Sequence, residues 1–140
     1  MRILVSLLFF TWLAPFAAAQ SGDPESVFDS YDHMRSFMDE HLKNRDIVRV
    51  MRAFGASDEM TSEELASLQQ RVLSIFPEDF RNVDVLRRND MGNGWRQEMY
   101  VYWTGMRYLY AYVLMHDQGR RLIAVHFQFN TDFLELNENF

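Results

Sequence analysis

Between residues 80 and 130 apolar and polar residues alternate with a period of two. The pattern is sharpest in Arg107-Tyr108-Leu109-Tyr110-Ala111-Tyr112-Val113-Leu114-Met115 and in Leu122-Ile123-Ala124-Val125-His126-Phe127-Gln128-Phe129. Side chains two apart share one face of a strand, so this half of the chain reads as an antiparallel meander with one face turned inward. Four strands are expected, over residues 80–88, 95–104, 107–115 and 122–129. Asn93-Gly94 is a hairpin turn, because both positions tolerate positive φ. Asp117-Gln118-Gly119 suits a three-residue loop pairing His116 with Arg120. That register sets Val113 against Ile123, Ala111 against Val125 and Leu109 against Phe127 on the core face. On the other face it sets Tyr112 against Ala124, Tyr110 against His126 and Tyr108 against Gln128. At Gly105-Met106 an odd-length loop keeps Met99, Val101 and Trp103 on the core side with Tyr100 and Tyr102 outside, whereas a two-residue turn reverses the strand; the odd loop is the expectation.

Upstream the period changes to that of helices. Asp23-Pro24 opens a first helix in which Val27, Tyr31, Met34, Met38 and Leu42 recur at spacings of three and four. Ile47, Val50, Met51 and Phe54 form a second, stopped by Gly55. Thr61 and Glu64 make a capping box for a third, which carries Leu65, Leu68, Val72 and Phe76 inward and ends before Pro77. The fold class is therefore α+β, three N-terminal helices packed on a four-stranded antiparallel sheet.

The first nineteen residues stand outside this domain. Arg2, the apolar run from Ile3 to Leu13 and Ala17-Ala18-Ala19 have the form of a secretory signal peptide, too short and too broken by Pro15 for a membrane span. A single domain of residues 20–140 is expected after cleavage, exported to a bacterial periplasm or the medium. Without Arg2 it has 13 basic residues against 20 acidic, a net charge of −7. Such a surface is a poor partner for nucleic acid. Cys is absent, which excludes disulfides and Cys-ligated metals.

This order of elements resembles the nuclear transport factor 2-like superfamily, most closely in Asn44-Arg45-Asp46-Ile47-Val48 with Phe54-Gly55, in Thr61-Ser62-Glu63-Glu64-Leu65, and from Tyr110 through Asp117-Gln118-Gly119 to Val125. The resemblance implies a cone-like fold whose curved sheet wraps the first helix, here in a small exported member. It implies no chemistry, since that fold carries enzymes and inert dimerisation modules alike.

His33 and His41 lie eight apart on the first helix, off the spacing of a helical metal pair, and are expected at the surface. Neither a calcium loop nor a phosphate loop is complete, so no metal, cofactor or catalytic set is assigned. The one cluster above background is the row Tyr108, Tyr110 and Tyr112 with His126 and Gln128, joined by Tyr100 and Tyr102 if the odd loop holds. Amphipathic rings of this kind are enriched where proteins meet. The sequence thus points to a non-enzymatic binding or dimerisation module of the cell envelope, pairing with itself or another envelope protein. The alternative is a small-molecule carrier or enzyme using a cavity between helix one and the sheet, with Tyr31, Met34 and Met38 at its wall.

Overall fold

The computed structural model describes residues 24–140, so the segment read as a signal peptide lies outside the described residues. A two-residue strand β1 (Val27–Phe28) leads into helices α1 (Tyr31–Lys43), α2 (Ile47–Ala53) and, after a short 3-10 turn, α3 (Ser62–Ile75). The meander follows as β2 (Asn82–Gly92), β3 (Trp95–Thr104), β4 (Arg107–Asp117) and β5 (Leu122–Asn130), and a short helix α4 (Phe133–Asn137) closes the order. One antiparallel sheet results, in the order β1-β5-β4-β3-β2. The architecture is α+β as expected, with five strands and four α-helices among the described residues in place of four and three.

The first helix starts at Tyr31, seven residues later than Pro24 suggests. Ser30 is extended, and its hydroxyl accepts the His33 N–H at 3.1 Å, which satisfies one of the free donors of the first turn. The residues before it find better partners elsewhere: Ser26 N–H donates to Ala53 and Ser26 C=O accepts from Ala124, both at 2.8 Å, which draws β1 onto the β5 edge. The boundaries of α2 and α3 agree with the sequence, whereas β2 covers Asn82–Gly92 in place of the expected residues 80–88. Thr61 and Glu64 form the reciprocal capping box, and Gly55 ends α2 with φ at 97°.

Strand phase is where sequence and structure part. Thr104 pairs directly with Arg107, so Gly105-Met106 is a two-residue turn and the expected odd loop is wrong. Tyr100 then faces Ala111 and Tyr102 faces Leu109, and both rings are fully buried under the helices. A hairpin with Gly105 at positive φ closes the ladder without a spare residue. The β4–β5 connection is a residue longer than expected, with Asp117 against Leu122, and it is compensated by a bulge at Val125. Val113 therefore faces Phe127 rather than Ile123, and Ala111 faces Phe129. The bulge switches the phase of β5, so that Leu122 and Ala124 point inward before it and Phe127 and Phe129 after it. Val125, expected in the core, is the looped-out residue and 47% exposed.

The main core lies between the helices and one sheet face, with Met34, Met38, Leu42, Val50, Val72 and Phe76 meeting Leu109, Val113 and Met115. The opposite, outer face carries a second apolar cluster, because α4 folds back over it. Leu136 is fully buried there against Met99 and Tyr112, with Phe133 and Phe140 beside it. His41, expected outside, is buried with its ring 4.4 Å from that of Phe37. His33 is exposed as expected.

Candidate functional site

Two polar stripes meet inside the helix-facing side of the sheet. On α1, Tyr31, Arg35 and Asp39 are four apart and so stack along one side of the helix. On β3, Arg96, Glu98, Tyr100 and Tyr102 alternate with Gln97, Met99 and Val101 and so share the face turned to α1. The Tyr102 hydroxyl donates to Asp39 at 2.6 Å, the Arg35 guanidinium binds the same carboxylate at 3.0 and 3.3 Å, and Arg35 also lies over the Tyr100 ring at 4.4 Å. Nearer the hairpin end, Glu98 is wholly buried. Its Oε2 accepts from the hydroxyls of Tyr31 at 2.7 Å and Tyr100 at 2.5 Å, while Oε1 accepts Arg88 Nε at 2.5 Å. Tyr31 in turn accepts from Arg35 and Arg88 at 3.3 and 3.2 Å.

The titration of these groups follows their surroundings. Burial, and then the adjacent Glu98 carboxylate, pushes the Tyr100 phenol far above its usual range; burial and Asp39 do the same to Tyr102. Burial works against the Arg35 charge, yet the Tyr31 hydroxyl and the Asp39 carboxylate outweigh it, and the guanidinium is held protonated more firmly than a free one. Hydrogen bonds to Glu98 and Tyr31 do likewise for Arg88.

A cavity of about 510 Å³ opens beside this network at the hairpin end of the sheet. Of the residues that line it, Met115 and Leu122 are buried and make its apolar floor, Tyr31 and Arg96 are half-buried, and the exposed Asp90 and Asp117 mark its mouth. The mouth is fixed by backbone contact between two turns: Asp117 N–H donates to Gly94 C=O at 2.8 Å. At Gly94, with φ at 83°, a Cβ would sit 2.2 Å from the Asp117 carbonyl oxygen, so only glycine lets the turns close. Among the described residues no three His, Asp or Glu side chains converge on a metal position, and no helix is long and apolar enough to cross a membrane.

The residues singled out from sequence divide between the two faces. Tyr31, Met34 and Met38, expected at a cavity wall, share the helical-face core with Tyr100 and Tyr102; Met34 and Met38 are fully buried in it, and of the three Tyr31 alone lines the cavity. Tyr108, Tyr110 and Tyr112 share the outer face with His126 and Gln128, in a different register: Tyr112 faces Gln128, Leu114 faces His126 and Tyr110 faces Asn130. Much of this row is covered. Tyr112 is buried, its ring 5.5 Å from that of Phe140 and its phenol pushed up by that burial. Tyr110 packs edge-on against Phe133 at 5.7 Å, and Gln128 accepts from Asn139 at 3.3 Å. Tyr108 remains 43% exposed, nearly parallel to Trp103 and Tyr110 with ring centres 6.5 Å away. Sequence reasoning missed Glu98, Arg35, Asp39, Arg88 and Arg96. Their signal was present in the i, i+4, i+8 spacing of Tyr31, Arg35 and Asp39 and in the even-numbered stripe of β3, once its phase is known.

No family model matches this chain, and comparison with curated proteins and with solved structures likewise gave no match.

Proposed function

We propose that this chain is an exported, non-enzymatic binding protein whose working site is the cavity beside Tyr31 and Arg96. The observation that carries the reading is Arg96 itself. Its guanidinium borders the cavity above an apolar floor, and it makes no hydrogen bond to the described residues; its contacts are the Tyr31 ring at 5.3 Å and Glu98 Oε1 at 3.7 Å. Small-molecule sites combine such a floor with a few converging polar groups in a space of about 300–1,000 Å³. Catalysis is not favoured, because the one buried carboxylate beside the cavity among the described residues has no free lone pair to serve as a general base, while the mouth aspartates stand in water. Both oxygens of Glu98 are already held by Tyr31, Tyr100 and Arg88. Export to the periplasm or medium and kinship with the nuclear transport factor 2-like superfamily, whose cone holds its ligands between first helix and sheet, belong to the same proposal. The test is a panel of polar small molecules followed by amide and methyl NMR. Shifts centred on Trp95, Arg96 and Leu122 support the reading; a panel that moves nothing there sinks it.

A second reading keeps the outer face as a protein contact, through a homodimer or another envelope protein. It rests on Tyr108 stacked beside Trp103 and left 43% exposed, since amphipathic rings in contact with water are enriched at interfaces. Light scattering on wild type and Tyr108→Glu at matched concentration tests the homodimer. A mass of two chains that falls to one in the variant supports it, and one chain in both removes it.

A further inference from the structure

We propose that the cavity takes a small zwitterion of the amino-acid class, with an apolar body, a carboxylate held by Arg96 and an ammonium held at the mouth by Asp90 and Asp117. This rests on the cavity being the working site and goes further by naming what fits it.

The local charges point the same way. Three guanidiniums surround Tyr31, two at its hydroxyl and Arg96 over its ring, and the first two are committed: Arg35 to Asp39, and Arg88 to Glu98. Arg96 is the third. The one carboxylate within 4 Å of it among the described residues is Glu98, and that group is saturated by two phenols and Arg88. The Arg96 side chain is 36% exposed. It therefore has donors to offer to an incoming carboxylate, the geometry guanidinium suits best.

A plain anion would meet the two mouth aspartates with repulsion, and this decides between an acid and a zwitterion. Asp90 is the direct cross-strand partner of Arg96, and such pairs hold their Cβ atoms about 5 Å apart. In each mouth aspartate one oxygen serves its own turn: Asp90 Oδ1 accepts Gly92 N–H at 2.9 Å, and Asp117 Oδ1 accepts Gly119 N–H at 2.8 Å. The second oxygens have no protein donor among the described residues. A positive group beside Arg96 and negative groups one strand away match the adjacent carboxylate and ammonium of an α-amino acid. Met115 and Leu122 at the floor would receive an apolar side chain, which loses water on entering.

Three probes separate the terms by isothermal titration of the wild-type protein. L-leucine carries both charges, 4-methylpentanoate has the same body without the ammonium, and 3-methylbutylamine lacks the carboxylate. L-leucine is expected to bind at least tenfold more tightly than either. Arg96→Gln is expected to weaken it tenfold or more, and Asp90→Asn, at an exposed position where folding is not at stake, severalfold. Equal affinity of leucine and 4-methylpentanoate, or no effect of Asp90→Asn, overturns the zwitterion. If leucine does not bind while other molecules still shift Trp95, Arg96 and Leu122 in the NMR panel, the ligand class falls and the site stands. If nothing shifts those residues, both fall.

Discussion

The Glu98 carboxylate persists in a dry interior because protein donors replace its water, two phenols on one oxygen and Arg88 on the other, with Arg96 near. Arg88 and Arg96 reach solvent and can turn outward if Glu98 is removed, but the Tyr100 hydroxyl cannot. Glu98→Ala is therefore expected to cost about 1–3 kcal/mol through that orphaned hydroxyl alone, in addition to lost packing. Urea denaturation measures it, and an unchanged midpoint refutes the network as a stabilising unit. Val125 and Val113 show how one residue of strand phase decides such costs. The unbroken alternation of the sequence puts both in the core, where an aspartate is ruinous. With the bulge, Val125 is half in water, and Val125→Asp is expected within about 0.5 kcal/mol of wild type. Val113→Asp, which buries an unpaired charge at a fully buried site, is expected to cost about 3–5 kcal/mol. Equal melting temperatures for the two variants would overturn the phase of β5. A bulge consumes one residue without marking it, so nothing in Ala124-Val125-His126 announced it.

Elements with their own local chemistry were legible and those made by tertiary contact were not. The Thr61–Glu64 capping box and the Asn93-Gly94 turn fix their backbones within a few residues, and both stand where the sequence places them. Strand β1 is two residues long, too short for a periodic pattern, and exists because Ala53 and β5 supply its hydrogen bonds. Helix α4 is similar: Phe133, Leu136 and Phe140 carry a helical spacing of three and four, but five residues in isolation would not stay helical. Its stability is borrowed from Met99 and Tyr112 beneath it. Leu136→Ala is accordingly expected to cost about 2 kcal/mol, the lower end for a buried leucine, because the short helix can detach as a unit. Hydrogen exchange should then show amides 133–137 opening well before those of β3 and β4. Uniform loss of protection across the sheet would mean that α4 belongs to the main cooperative core.

At the scale of the whole molecule, the join between α1 and the sheet sets how the fold responds to alkali. Tyr100 faces Glu98, Arg35 and Tyr31, and Tyr102 faces Asp39, Arg35 and Tyr31; for both phenols burial and the nearby carboxylates raise the pKa, against the smaller opposing pull of Arg35. A phenol that ionises at higher pH in the folded chain than in the unfolded one contributes stability that is intact below the unfolded pKa, about 10. That contribution is lost as pH rises beyond it, because the unfolded chain releases protons that the folded chain must keep. Stability should therefore decline above pH of about 10, and Tyr100 and Tyr102 should ionise only as the chain unfolds. Absorbance at 295 nm and far-ultraviolet circular dichroism on the same samples read both events. A variant separates this from general alkaline damage. Tyr102→Phe keeps the ring and removes the proton, so it should be less stable at pH 7, where Asp39 loses a donor, yet fall off less steeply above pH 10. If all six tyrosines ionise while the dichroism is still native, the two buried phenols are open to water and the packing of α1 on β3 is not the closed seam described above.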